Sequence, residues 1–177
     1  MKALIQKINK SPITLYGAFA GGGQNFVYTF LNEPNASKTI MGFNFPYSTE
    51  MFKQFTYGVV PESFASLQAA RKLSSSALIE IEMDKDGQLG IGVAASLATD
   101  NEREGRIHKI HVVITSAWDL ASRSYEIPSG KFTRMEEDEF ITYIIIDLLV
   151  GAFLGECPPK YIQNKLDKIA KFAKVGK

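Results

Sequence analysis

The alternation of apolar and polar positions divides the chain into strand-like and helix-like stretches. Met1–Lys10 sets Leu4, Ile5 and Ile8 among lysines as a short amphipathic lead-in, stopped by Ser11-Pro12. Ile13–Phe19 is an apolar run of strand length that meets Gly21, Gly22 and Gly23, and Phe26, Val27, Phe30 and Leu31 then share one stripe of a helix over Asn25–Leu31. Asn32–Ser37 (NEPNAS) reads as a turn, and Lys38–Phe45 ends in the alternation Met41, Phe43, Phe45 before Pro46 stops the second strand.

Ser48 or Thr49 is placed to cap a helix over Glu50–Phe55, and Pro61 to open another whose buried side holds Phe64, Leu67 and Ala70. Ser74–Met83 fits strand and helix spacing alike; Ala77, Leu78 and Ile81 favour helix. Asp84–Gly87 (DKDG) is a turn without the further ligands of a calcium loop. Leu89–Leu97 is a strand rich in glycine and alanine, a composition expected where another element packs against the backbone. A polar loop, Ala98–Arg106, leads to a strong strand, Ile107–Thr115, and a weaker one, Ser122–Ile127. Thr133 and Glu136 form a capping-box pattern opening a helix with Phe140, Tyr143, Ile144, Asp147 and Leu148 down one side. The acidic run Glu136–Glu139 lies where the helix dipole favours negative charge. Gly151–Pro159 breaks that helix, and Lys160–Lys177 is expected as a last helix with Ile162, Leu166, Ile169 and Ala173 on one face. Strands alternating with helices predict an α/β fold on a central sheet, in one domain over residues 1–177.

Composition adds limits. The chain is 45% hydrophobic and 22% charged with a net charge of +1, so nothing draws it generally to nucleic acid or a membrane. Cys157 is the single cysteine, which excludes an intramolecular disulfide and a cysteine-based zinc site. The first residues lack the apolar core of a signal peptide, and the apolar run Tyr143–Leu154 is interrupted by Asp147 and too short to span a bilayer. A soluble, cytoplasmic protein is expected. The lysines of the last stretch surround a narrow apolar stripe without interleaved aromatics, as in a solvated face.

Candidate chemistry gathers at the glycine turn. A strand that ends in glycine and enters a helix leaves N–H groups free for a phosphate or carboxylate, so Gly21, Gly22, Gly23 and Gln24 could seat an anion; a tight connection alone explains them equally well. The turn matches neither GxxxxGK[ST] nor GxGxxG, and no cofactor is expected. Tyr47 with Ser48, and Ser96 with Thr99, lie at the carboxyl ends of predicted strands, where α/β sheets bind ligands. His108 and His111 fall on opposite faces of their strand, so they cannot chelate one metal; one is expected in the core and the other in a polar or acid–base role.

These stretches (AFAGGGQNFVYTFL, MGFNFPYSTE, VVPESFA, LGIGVAASLATD) together resemble, over about Ile13–Leu149, the C-terminal domain of the competence/damage-inducible protein CinA, a family of nicotinamide mononucleotide amidohydrolases. The resemblance implies a three-layer α/β/α sandwich on a mixed sheet, homo-oligomerisation, and a nucleotide-like ligand. It also implies that the family's nucleophilic serine falls on Ala18, its preceding glutamate on Gly17 and its threonine on Ala20. The family's catalytic lysine falls on Phe52, with Lys53 one position and about 100° of helix away. Tyr47 and Ser48 keep the family's Tyr-Ser junction. An alanine has no nucleophilic atom, so serine-type acyl transfer is unavailable there. Three expectations follow: a nucleotide-binding domain without amidase activity, a hydrolase using histidine-activated water, or a structural or partner-binding subunit.

Overall fold

A computed structural model describes residues 1–81 and 87–176. In chain order the elements are α1 (Lys2–Ile8), β1 (Thr14–Ala20), α2 (Gln24–Leu31), β2 (Ile40–Asn44), α3 (Thr49–Phe55), α4 (Leu67–Ile79), β3 (Gln88–Ser96), β4 (Ile107–Thr115), β5 (Leu120–Pro128), α5 (Arg134–Leu148), α6 (Lys160–Ala170) and β6 (Lys174–Gly176). The strands form one mixed sheet in the order β2-β1-β3-β4-β5-β6. β2, β1 and β3 are parallel, and β3 through β6 pair antiparallel. Helices α3 and α4 cover one face, where Phe52, Phe55, Ala70 and Leu73 pack on Ala18, Ala94 and Val113. Helices α1, α2, α5 and α6 cover the other, over Leu15, Phe19, Ile91, Val93, Ile110 and Val112. The expected α/β/α layering is present, and no described helix is long and apolar enough to cross a membrane.

The small residues of β3 are explained by α4. A Cβ on Gly90 would lie 2.1 Å from the Ser74 carbonyl oxygen, and one on Gly92 2.1 Å from that of Ala70. The helix therefore rests on bare strand backbone, and the Ser74 hydroxyl donates to the Gly90 carbonyl at 3.2 Å. The opposite face of β3 carries the large apolar side chains Leu89, Ile91 and Val93, which meet the α5 layer. Alternation has sorted small residues to one layer and large ones to the other.

Three local differences from the sequence pattern have physical causes. The Pro61 region is irregular and α4 begins at Leu67, because Ser66 is the residue that caps it, its Oγ accepting the Ala69 N–H at 3.1 Å. Ser74 to Ile79 continue that helix, the reading that Ala77 and Leu78 favour over a strand. After Leu148 the chain continues as a π turn over Leu149–Phe153 instead of breaking at once. The last helix stops at Ala170, and Lys174–Gly176 pair with Ser124–Glu126, supplying hydrogen bonds that the outer edge of β5 would otherwise lack. Of the Asp84–Gly87 turn, the first three residues lie outside the described ones.

Gly92→Ala is expected to cost about 1–3 kcal/mol or more, as overpacking in a closed interface does. Urea denaturation measures it; an unchanged midpoint would contradict the close seating of α4 on β3.

Candidate functional site

The strand order reverses between β1 and β3. From β1 the chain passes through α2 to β2 on one side, then returns through α3 and α4 to β3 on the other. The carboxyl ends of strands at such a switch point diverge and leave a crevice. Here a cavity of about 210 Å³ lies between Ala20, Gly21 and Ala95 on the sheet, Tyr47 and Ser48 after β2, and Phe52 of α3. Phe64 completes its wall, its ring 5.1 Å from that of Phe52 and nearly perpendicular to it. Gly21 has φ +89° and a Cβ there would meet the Ala95 carbonyl oxygen at 1.9 Å, so only glycine lets β1 leave the sheet so close to β3. Tyr47 is 74% exposed at the mouth. Ser48 caps α3, its Oγ accepting the Met51 N–H at 3.1 Å.

The rest of the glycine turn faces away from this cavity. Gly22 and Gly23 are buried, and Gln24 is exposed. The anion at the start of α2 is the protein's own: the Gly23 N–H donates to one oxygen of Asp138, and the Asn25 N–H to the other at 2.7 Å. The carboxylate reaches across from α5 into the seat that helix geometry favours for negative charge.

The preceding residue of α5, Glu137, is wholly buried and holds the far side of the sheet end. One of its oxygens lies 2.6 Å from His108 Nδ1 and the other accepts the Ala98 N–H at 2.7 Å. His108 is fully buried on β4, and its Nε2 lies 2.5 Å from Glu102. For Glu102, desolvation pulls the carboxyl pKa up, but the Thr99 N–H, His108 and Arg106 together outweigh it and hold the group below its ordinary value.

Ser96 Oγ accepts the Lys109 N–H at 3.2 Å, and Thr99 Oγ1 accepts from Arg106 at 2.9 Å. Neither hydroxyl borders the cavity. The structure therefore unites Gly21, Tyr47 and Ser48 around one space and separates Gly22, Gly23, Gln24, Ser96 and Thr99 from it. His111, on the opposite face of β4 from His108, meets Ser124 Oγ at 2.8 Å. Burial first, then Lys109, pushes the His111 pKa below its usual value against the opposing pull of Glu126 and the Ala65 backbone. Sequence reasoning missed Glu137, Asp138, Arg106 and Arg134. Arg134 donates to the carbonyls of Ala98 at 3.3 Å and Gly21 at 3.4 Å, joining the β3–β4 loop to the cavity floor. Among the described residues no group of His, Cys, Asp and Glu is arranged to hold a metal.

Solved structures share this architecture. One is the competence/damage inducible protein CihA from Agrobacterium tumefaciens, at 15% identity over 85% of this chain and 93% of that one, with a TM-score of 0.62. Another is a competence-damaged protein (CinA) superfamily protein from Enterobacter cloacae, at 14% identity, 84% and 89% coverage and a TM-score of 0.65. A competence or damage-inducible protein from Enterobacter asburiae aligns at 16% identity, 85% and 94% coverage and a TM-score of 0.61. The chain shares the fold of these proteins. No protein-family model and no curated protein matches the sequence. On the CinA-like frame, the glycine turn and the cavity stand at the carboxyl end of the first strand, with α5 behind them.

Glu137→Ala strands the buried His108 and the Ala98 N–H and is expected to cost about 3–5 kcal/mol, against about 1–2 kcal/mol for loss of the α2 cap in Asp138→Ala. Chemical denaturation of the two variants checks the order. His111 supplies a pH test. Its folded pKa lies below its unfolded value, so the unfolded chain binds the proton first as pH falls, and stability drops below about pH 6.5. His111→Gln is expected to flatten the part of the stability–pH curve from about pH 6.5 downward; curves that stay parallel would refute this.

Proposed function

We propose that the chain binds a small anionic molecule of nucleotide type in the crevice between β1 and β3, and that it does so without serine-type amide hydrolysis. The observation that carries this reading is the state of Ala18 and Phe52. Both are buried apolar side chains of one cluster, at the two positions where the family resemblance would call for a nucleophile and a lysine. Gly17, where the resemblance would put a glutamate, has Phe19 ring atoms 2.4 Å from where a Cβ would be, so the space for that side chain is filled by an aromatic ring. The cavity hydroxyl of Ser48 is held by the α3 cap.

The size and charge of the crevice suggest how a nucleotide would lie. At about 210 Å³ the cavity is smaller than the usual ligand pocket of about 300–1,000 Å³, so it would enclose one ring and leave the rest of the molecule at the mouth. Arg134 stands on the Gly21 carbonyl at the cavity floor, engaged only by carbonyl oxygens and with no carboxylate within ion-pair distance among the described residues. A phosphate on Arg134 gains a charge-assisted hydrogen bond that a neutral carbonyl does not provide. Tyr47, largely exposed, would close over the enclosed ring. Hydrolysis by histidine-activated water has less support: His108 is fully buried between Glu137 and Glu102, where no substrate reaches it.

Calorimetry and thermal-shift titration with nicotinamide mononucleotide, NAD, ADP-ribose and simple mononucleotides test the proposal. Binding weakened about tenfold by Arg134→Ala, with no ammonia released from nicotinamide mononucleotide, is expected. Absence of any binder at millimolar concentration would end the ligand half of the proposal, and ammonia release the other half.

A further inference from the structure

Opposite the crevice, at the far end of the sheet, the first half of β5, the last turn of α5 and helix α6 enclose a groove of about 840 Å³. One wall carries an unusual group. Asp147 interrupts the apolar run Ile144–Val150 and is 6% exposed, yet its carboxylate lines the groove. Gln163 Nε2 donates to one oxygen at 2.5 Å, and the Arg123 guanidinium approaches the other only to 3.6 Å. Arg123 is 48% exposed, and such a long, wet ion pair compensates a buried charge poorly. A carboxylate has about four acceptor positions, and here one hydrogen bond and one long contact serve them.

Three further observations point the same way. Asp167 of α6 stands on the same groove, so two carboxylates face one guanidinium there. Burial of Tyr125, which also lines it, raises the phenol pKa; Asp147 and Asp167 raise it further, and Arg123 opposes them. Immediately after Asp147 the helix opens into the π turn Leu149–Phe153, a distortion common at functional sites. Leu120, Leu148, Leu166 and Ala170 give the groove apolar surface beside this negative wall.

We propose that the groove binds an alkylammonium group, from a small organic amine or from a lysine side chain, with the charged head on Asp147 and the methylenes along Leu148 and Leu166. Arg123 competes with that head for Asp147. Removal of Arg123 therefore strengthens binding, the opposite of what an anion site would do.

The test is an NMR titration of the folded full chain with n-butylammonium, N-acetyl-lysine amide and, as the anionic control, butyrate. Both ammonium probes are expected to shift the Gln163 side-chain amide and the Gly151 and Ala152 amides, and butyrate is not. Asp147→Asn abolishes the shifts, and Arg123→Ala tightens binding about two- to fivefold. Tighter binding of N-acetyl-lysine amide than of n-butylammonium assigns the site to a protein lysine, and the reverse to a free amine. Butyrate binding as well as the ammonium probes overturns the proposal, as does weaker ammonium binding in Arg123→Ala; the second result decides the matter even if Asp147→Asn fails to fold.

Discussion

Two adjacent carboxylates on the first turns of α5 hold the carboxyl end of the sheet together. Glu137 joins β4, through His108, to the start of the β3–β4 loop, through the Ala98 amide. Asp138 joins the same helix to the β1–α2 turn through Gly23 and Asn25. Burying Glu137 completely costs several kcal/mol, and charge-assisted hydrogen bonds of good geometry are what make that tolerable. The helix start is fixed first: Thr133 and Glu136 close a capping box, which sets the rotation that turns residues 137 and 138 inward. A local sequence signal thus determines a contact among three separate parts of the chain.

That arrangement divides the glycine turn into two functions. Gly23 belongs to the tie, because its amide already holds a carboxylate. Gly21 belongs to the crevice, because its missing Cβ lets β1 pass the Ala95 carbonyl. An incoming phosphate would have to displace Asp138, whose two oxygens already take the Gly23 and Asn25 N–H groups. The proposed anion contact is therefore a cation outside the turn, Arg134, which is tethered to the Gly21 carbonyl.

Much of this fold was legible along the chain because its periodicities are local. Gly90 and Gly92 announced a close packing partner, and α4 is that partner. The opposite facing of His108 and His111 follows from strand alternation alone. Other features depend on competition between distant groups. Lys160–Lys177 reads as one helix on the stripe Ile162, Leu166, Ile169 and Ala173, but the open edge of β5 takes Lys174–Gly176 into the sheet. The first turn of α5 was misleading for a different reason: a helix dipole favours negative charge at that end whichever way the side chains point. Glu136–Glu139 therefore read only as an acidic helix start, and nothing in their spacing said that Glu137 would meet a histidine from β4. Arg106 and Arg134 gave no signal either, since their partners are backbone carbonyls and a hydroxyl brought near by tertiary folding.

The dipole argument discriminates better at the other end of the same helix. Glu137 and Asp138 lie where the field favours a carboxylate and each has aligned N–H or imidazole partners. Asp147 lies toward the carboxyl end of α5, just ahead of the π turn Leu149–Phe153, where the helix dipole is unfavourable to negative charge, and its neighbours along the chain are isoleucine and leucine. Burial and dipole both act against the anion, while its protein partners are a neutral amide and a distant, half-exposed guanidinium. Helix stability alone would favour an apolar residue or a lysine at this position. The carboxylate makes physical sense there when a cation completes it, and the groove is large enough to admit one from outside.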